Sequence, residues 1–212
     1  MKRFYALFII LLISHLSRAG ANINADTAKK TVDKSINSPG EFEPEYPGGN
    51  IAFEKYISRH LHYPDAARLL GINGDVYVSF LIDRDGKVTE VTSVNCIGAG
   101  CESEAVKVVK RCRPWKPGMQ NGRPASVHYT IPINFRMETG KVYMDNLAAS
   151  DYGFIFKIKG VLYNVDDAED ILGKTFSPNK IESAEPFYDY NTIKKFRIRN
   201  KKEVYLLIFK ST

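Results

Sequence analysis

The chain has 212 residues, of which 44% are hydrophobic and 25% are charged. These proportions are typical of a globular protein and exclude a disordered or fibrous chain, and the length suits one ordinary domain or two small ones. The formal net charge is +6, but residues 1–40 alone hold six Lys or Arg against two Asp. Because residues 41–137 and 141–212 are each nearly balanced, the charge totals argue against nucleic-acid binding.

Residues 1–21 have the pattern of a secretory signal peptide. Lys2 and Arg3 precede an apolar run of thirteen residues at 4–16, and Ala19-Gly20-Ala21 resembles a signal-peptidase site. A helix that spans a bilayer needs about 20 apolar residues, so we expect this segment to be cleaved during export. If it is not cleaved, it would serve as a short membrane anchor.

Residues 22–42 are predicted to form a flexible linker. They are rich in Asn, Lys, Ser and Thr and show no apolar periodicity. Fully stretched, twenty residues reach only about 70 Å. Two regions with regular patterns follow, which we predict to be a domain at residues 43–138 and a smaller extension at residues 141–212.

Residues 43–115 show the patterns of helices that flank a β-hairpin. Apolar side chains recur at three- and four-residue steps after Asn50, which predicts a helix with Asn50 as its N-cap. An Asp-Gly turn at residues 83–86 separates two strand patterns. Trp115, the only tryptophan, is expected to fill the core between helices and sheet. The predicted elements are helices near residues 50–61, 65–70 and 102–111, and strands at residues 75–82 and 87–94.

A long last strand is predicted from about residue 125 to residue 137. Because Pro132 cannot donate a ladder hydrogen bond, the strand is expected at a sheet edge or a bulge. Its odd-numbered residues from Val127 to Phe135 are apolar and are expected to face the core. The opposite face of the predicted strand holds Ser126, His128, Thr130, Asn134 and Arg136.

The three cysteines predict one disulfide and one free thiol in an exported chain. Cys96 and Cys101 flank a flexible four-residue loop that could bring them together, so this pair is the disulfide candidate. Cys101 and Cys112 lie at opposite ends of a predicted helix, too far apart to bond. No CxxC pair or neighbouring histidine indicates zinc, and we predict no metal.

No residue pattern indicates catalysis, and we predict that the protein is not an enzyme and binds no cofactor. Of the four histidines, His15 lies in the signal segment, and His60 and His62 point to different sides of a helix end. Asp83 and Asp85 suit turn formation better than acid–base chemistry. A placed nucleophile, base or metal, which a reaction would need, is not evident.

Several short sequence motifs in residues 43–137 resemble those of the C-terminal domain of the TonB family of energy transducers. The resemblance implies an α+β fold in which two helices pack on a three-stranded antiparallel sheet, with the last strand at an edge. Together with export by the signal segment, it predicts a periplasmic location, or the inner membrane facing the periplasm if the N-terminus is uncleaved. The motifs are Tyr46-Pro47-Gly48-Gly49, Tyr63-Pro64, Gly74-Asp75-Val76-Tyr77-Val78-Ser79-Phe80, Asp85-Gly86, Glu104-Ala105, Trp115-Lys116-Pro117-Gly118 and Ile131-Pro132-Ile133-Asn134-Phe135.

The partners that the resemblance implies are peptides of outer-membrane receptors, which add a strand to the exposed edge. An edge strand offers unpaired N–H and C=O groups, and a bound strand satisfies them. The five polar residues on the outer face of the last strand are the predicted partner-binding residues. Inner-membrane motor proteins are further partners if the chain is anchored, and the same edge could join two copies as a homodimer.

The chain departs from the family in its short apolar run and short linker, so two other functions stay open. A soluble periplasmic adaptor could use the same peptide-binding domain without transmitting force. An envelope-binding module would instead bind the cell wall.

Residues 141–212 predict a small α/β extension. Strand and helix patterns alternate there, with a Lys159-Gly160 turn between the first two elements. Residues 180–183, together with 194–196 and 204–208, are reminiscent of a fragment of receptor plug domains. The predicted strands lie near residues 154–158, 181–187 and 203–209, and the predicted helices near residues 165–172 and 190–196.

Overall fold

A computed structural model describes residues 40–138 and 140–210, all of which belong to one compact unit at residues 37–212. The predicted signal segment and most of the predicted linker lie outside the described residues. The helices are α1 Gly49–His60, α2 Asp65–Leu70, α3 Cys101–Lys110, α4 Met144–Ala149, α5 Val165–Leu172 and α6 Tyr190–Lys195. The strands are β1 Gly74–Ile82, β2 Val88–Ser93, β3 Gly118–Gln120, β4 Arg123–Ala125, β5 Val127–Phe135, β6 Val142–Tyr143, β7 Gly153–Ile158, β8 Val161–Tyr163, β9 Thr175–Phe176, β10 Ile181–Pro186 and β11 Val204–Phe209.

The first region contains a three-stranded antiparallel sheet in the order β2-β1-β5. The central strand β1 alternates, so that Val76, Val78, Phe80 and Ile82 are fully buried. A strand presents alternate residues to opposite faces. These four side chains therefore lie on the same face of the sheet, against which the helices pack. The predicted α+β fold, with helices on one face of this sheet, is confirmed.

Trp115 lies at the centre of an aromatic cluster between sheet and helices. Its ring centroid is 5.0 Å from that of Phe53 on α1, 5.5 Å from that of Tyr46, 5.9 Å from that of Phe80 and 5.7 Å from that of Tyr129. Only 6% of Trp115 is exposed. Its predicted place in the core is confirmed, and α1, β1 and β5 meet around one indole ring.

The hairpin turn between β1 and β2 forms a backbone hydrogen bond with the same tryptophan. The N–H of Trp115 donates to the C=O of Gly86 at 2.7 Å. A Cβ atom on Gly86 would lie 1.8 Å from the carbonyl oxygen of Trp115, and its φ is +79°. Only glycine fits so close an approach at a positive φ. The glycine of the Asp-Gly turn is therefore required by the backbone contact with Trp115.

The boundaries of two predicted elements are corrected. The N-cap of α1 is Gly48, at φ 90°, and not Asn50, which lies inside the helix. The last strand begins at Val127, because Ala125 pairs in the short β3–β4 hairpin. It ends at Phe135, and the N–H of Met137 donates to the Asn73 side chain instead of to β1. Strands of three residues are too short to show a periodicity, so the sequence pattern assigned Ala125 of β4 to the last strand.

The second region contains a four-stranded sheet in the order β10-β11-β7-β8. Strand β11 runs parallel to β7, and the other pairs are antiparallel. The turn between β7 and β8 uses Lys159 and Gly160, both at positive φ, which suits a tight two-residue hairpin. Asn164 is the N-cap of helix α5, and its side chain accepts a hydrogen bond from the N–H of Asp167 at 2.7 Å.

The loop before α3 joins the two regions. The N–H of Ala99 donates to the C=O of Ala184 on β10 at 2.8 Å. At Gly98 an added Cβ atom would lie 2.5 Å from the same carbonyl oxygen, and one hydrophobic core cluster extends through both regions. The division into a domain at residues 43–138 and an extension at residues 141–212 stays a prediction. Among the described residues, none of the helices combines the length and apolar character needed to cross a membrane.

Candidate partner-binding edge

Strand β5 lies at an edge of the three-stranded sheet. It pairs with β1 over nine positions without a register shift, from Gly74 opposite Phe135 to Ile82 opposite Val127. In the part of the chain that the structure describes, no strand pairs with β5 on its other side. This agrees with the edge position that Pro132 predicts.

The hydrogen bonds of Tyr77 show which backbone groups of β5 face the free edge. Tyr77 lies opposite Pro132, yet its N–H donates to Oδ1 of Asn95 at 2.7 Å and its C=O accepts from the N–H of Val94 at 2.8 Å. Both groups therefore point towards the β2 side and away from β5. In an antiparallel ladder such a pair shares no hydrogen bond, so the backbone groups of Pro132 point outward.

The same direction repeats at every second residue of β5. Because the register has no shift, the N–H and C=O groups of His128, Thr130 and Asn134 also face the free edge. Pro132 contributes a C=O but no N–H. Between residues 128 and 134 the edge thus presents three donors and four acceptors, with one donor missing near its centre.

The side chains of β5 differ in burial between its two faces. His128, Thr130, Pro132 and Asn134 are exposed on the outer face of the sheet. On the helix side burial increases along the strand, from half-buried side chains near its start to Ile133 and Phe135, which are buried. The half-buried members of that row are Val127, Tyr129 and Ile131.

Two of the predicted partner-binding side chains are already engaged within the sheet. Asn134 Nδ2 donates to Oδ1 of Asp75 at 2.7 Å, and Arg136 Nη2 lies 2.8 Å from the same oxygen. Asp75 lies directly opposite Asn134 on β1. Arg136 follows the last residue of β5, and Ser126 precedes its first, so both lie just outside the strand.

The N-terminal segment of the domain covers part of the helix side of β5. The Tyr129 hydroxyl lies 3.3 Å from Oε2 of Glu43 and 3.4 Å from the C=O of Pro44. Burial, and secondarily the Glu43 carboxylate, raises the pKa of Tyr129 to about 12. The neutral hydroxyl therefore remains a hydrogen-bond donor at the base of the edge.

The cysteines are free thiols in the structure, including the predicted pair Cys96 and Cys101. Burial and the neighbouring Glu102 carboxylate raise the pKa of Cys96 to about 11 and that of Cys101 to about 12. Burial also raises the pKa of Cys112. The Glu102 carboxylate accepts hydrogen bonds from the N–H groups of Ile97 and Gly98, the latter at 2.7 Å, and so holds the loop between the first two cysteines. The disulfide stays a prediction.

The remaining polar candidates take part in local structure. His60 Nδ1 lies 2.8 Å from the C=O of Tyr56, and its ring stacks on the Tyr56 ring with centroids 4.4 Å apart. Asp83 Oδ1 accepts from the N–H groups of Asp85 and Lys87 at 2.9 and 2.8 Å, which closes the hairpin turn. The described residues contain no group of His, Cys, Asp and Glu side chains that could hold a metal ion.

Sequence reasoning missed Tyr77 and Asn95, which orient the edge. The Asn95 side chain extends the β2 ladder, because its Nδ2 also donates to the C=O of Asp75 at 2.8 Å. An asparagine just after a strand was the available signal, since its amide can take the place of a backbone unit. Tyr77 carried no signal beyond its place in an alternating strand.

Comparisons with known proteins point to one family. Residues 59–137 match the sequence model described as the Gram-negative bacterial TonB protein C-terminal. The chain is similar to two NMR solution structures of the Helicobacter pylori TonB C-terminal domain. One is 30% identical over 41% of this chain and 90% of that chain, with a TM-score of 0.32; the other is 27% identical over 42% and 81%, with a TM-score of 0.34.

No match was found among curated proteins. The TonB C-terminal family is generally linked to TonB-dependent transport and is a non-catalytic family. Residues 59–137 of this chain therefore belong to the TonB C-terminal domain family.

Proposed function

We propose that the protein is a periplasmic TonB-like protein that binds peptides of outer-membrane receptors by strand addition to β5. This binding would link it to energy-dependent transport across the outer membrane. The observation that carries the proposal is the free edge of β5, where His128, Thr130 and Asn134 present outward N–H and C=O groups. An added strand forms its main-chain hydrogen bonds with unpaired N–H and C=O groups of this kind.

The missing donor at Pro132 would set the register of the bound peptide. A peptide strand pairs with the outward groups at every second position. A peptide C=O placed opposite Pro132 would find no N–H, so the favoured register places the end of the peptide strand there, where its C=O can bind water instead. Main-chain bonds would supply affinity, and this gap would contribute to specificity.

Side chains beside the edge would supply the remaining recognition. Alternate peptide side chains would extend the helix-side row of Val127, Tyr129 and Ile131, which is only half-buried, and would bury further apolar surface there. The other peptide side chains would lie beside His128 and Thr130 on the outer face. Asn134 and Arg136 would act through Asp75, by holding the end of β5 against β1.

A pair of substitutions at Thr130 tests the binding mode. Thr130→Pro removes one outward N–H, as Pro132 already does two residues further on, and leaves the ladder to β1 intact. We expect roughly tenfold weaker binding of N-terminal receptor peptides, since one main-chain hydrogen bond is lost and its acceptor is left unpaired. Thr130→Val keeps the N–H and is the matched control, expected to bind like the wild type.

Amide chemical shifts during the same titration locate the peptide. The N–H signals of His128, Thr130 and Asn134 should move most as receptor peptide is added. Shifts confined to loops, or equal affinities for the two Thr130 variants, would show that the peptide binds elsewhere.

Export and membrane attachment are tested separately. Mature protein that begins near Asn22 would establish a cleaved, exported chain and would favour an adaptor without force transmission. An intact N-terminus in the inner membrane would favour an anchored transducer. N-terminal sequencing of the protein from cell fractions distinguishes these outcomes.

A further inference from the structure

The charge of the C-terminal region is concentrated in one short segment. Residues 141–212 hold twelve Lys or Arg against ten acidic residues, but residues 194–202 alone hold six of the twelve and no acid. The regional total therefore conceals a strongly basic patch beside an acidic remainder. We call residues 188–202 the basic-aromatic segment. It comprises α6 and the loop that leads to β11.

Four of these cations are available to a partner. Lys202 lies 2.7 Å from Asp151, and Lys201 donates to the carbonyl oxygens of Ala148 and Ser150. The other cations form no ion pair with any described residue and are exposed. They are Lys194, Lys195, Arg197 and Arg199.

Two exposed tyrosines belong to the same segment as these cations. Tyr188 is 79% exposed and Tyr190 is 70% exposed. Lys194 Nζ lies 6.0 Å from the centre of the Tyr190 ring, which keeps a cation and an aromatic ring side by side. The nearby acid, Asp189, is occupied in capping α6, because its side chain accepts from the N–H of Asn191 and from the Thr192 hydroxyl. Its carboxylate forms no ion pair with these cations, and residues 188–202 hold six Lys or Arg against this one acid.

We propose that the basic-aromatic segment docks the protein on a bilayer surface that contains anionic phospholipids. Lys and Arg near such a surface are attracted to phosphate headgroups. Tyrosine rings are apolar with a polar end, and they partition to the level of the headgroups. Side chains as exposed as Tyr188 and Tyr190 project from the protein, which suits a flat surface better than a groove for a single nucleic-acid strand.

The test uses the full chain and lipid vesicles. Flotation with phosphatidylcholine vesicles, with and without phosphatidylglycerol, should show a binding increment that requires phosphatidylglycerol and decreases with added salt. The triple variant Lys194→Gln, Lys195→Gln, Arg199→Gln should reduce the partition coefficient of this increment by about a hundredfold, or about fivefold for each cation. A matched control makes the same charge change elsewhere, with Lys157, Lys174 and Lys180 each replaced by Gln, and should keep the increment.

A second variant tests the aromatic contribution. Tyr188→Ser with Tyr190→Ser should leave the salt-sensitive increment but remove the part that persists at high salt. Equal binding to both vesicle types, or equal losses in the triple variant and its control, would overturn the proposal. Tighter binding to a single-stranded oligonucleotide than to phosphatidylglycerol vesicles at the same salt would also overturn it, in favour of nucleic acid. Receptor-peptide binding measured in parallel reports on β5 alone, so the two proposals can fail separately.

Discussion

Tyr77 and Pro132 lie opposite each other on neighbouring strands and share no backbone hydrogen bond. The N–H and C=O groups of Tyr77 point to Asn95 and Val94 on the β2 side, so those of Pro132 are directed outward. The proline therefore costs the sheet no ladder hydrogen bond. It instead removes one donor from the exposed edge, and natural proteins use proline in this way to limit edge-to-edge pairing.

Replacing Pro132 by alanine should complete the row of outward N–H groups on the free edge of β5. Pro132→Ala adds an outward N–H without altering the β1–β5 ladder, so we expect the free energy of unfolding to change by less than about 1 kcal/mol. Self-association through β5 should increase, because the row of donors becomes continuous. Sedimentation velocity and urea unfolding measure the two effects. A gain in the free energy of unfolding above about 1 kcal/mol would instead mean that the N–H of residue 132 points to β1, where it would add a ladder hydrogen bond.

Replacing Gly98 by alanine should disrupt the junction between the loop before α3 and β10. Gly98 has φ +93°, and an added Cβ atom would lie 2.5 Å from the carbonyl oxygen of Ala184. Gly122 is a matched control, because it has φ +71° and nothing within 4 Å of an added Cβ atom. Gly122→Ala should cost about 1–2 kcal/mol from backbone conformation alone.

Gly98→Ala should cost at least about 1 kcal/mol more than Gly122→Ala, since it adds a clash with backbone to a similar conformational cost. Equilibrium urea unfolding of the two variants, followed by circular dichroism, measures the difference. Equal losses in both variants would show that the loop does not contact β10.

Removing the Trp115 side chain should destabilise the first region strongly. Trp115→Ala is expected to cost about 3–5 kcal/mol, because it opens a cavity among Phe53, Phe80 and Tyr129. Trp115→Phe should cost much less, since it keeps an aromatic ring. The indole N–H that it removes is buried and has no hydrogen-bond partner among the described residues. Far-UV circular dichroism during denaturation checks both, and equal losses would contradict a central packing role.

The thiols should react slowly in the folded protein. The pKa of Cys96 is raised to about 11 and that of Cys101 to about 12, so little reactive thiolate is present at neutral pH. Alkylation of Cys96 should speed up about tenfold per pH unit until about pH 11. Cys101 is fully buried and should react only after unfolding. Labelling of Cys112 alone in denatured, unreduced protein would instead establish the Cys96–Cys101 disulfide.

The raised thiol pKa values also predict an effect of pH on stability. The folded state favours the protonated thiols, so their contribution is fully present below the ordinary pKa of 9.0. It is lost as the pH rises towards about 12, the pKa of folded Cys101. Replacement of Cys101 by alanine should therefore flatten the alkaline decline in unfolding free energy, which thermal unfolding across this pH range can measure.

Elements with a clear period were predictable from the sequence. Helix α5 has the predicted bounds, and β1 differs from prediction by a single residue. The short β3–β4 hairpin was missed because three residues cannot display a period. The N-cap of α1 was misassigned because Asn50 is a good capping residue in general, whereas the chain uses Gly48 at a positive φ.

Local sequence patterns were sufficient to predict the longer helices and strands, the apolar face of β5, and the edge position of a strand with an internal proline. The free backbone groups of that edge could be identified only from the folded chain, because their direction depends on the register against β1 and on hydrogen bonds to residues far along the chain. The same is true of the contacts of Asp75 with Asn134 and Arg136. Local patterns indicate where helices and strands form, whereas the hydrogen-bond partner of each group depends on long-range contacts that no local pattern shows.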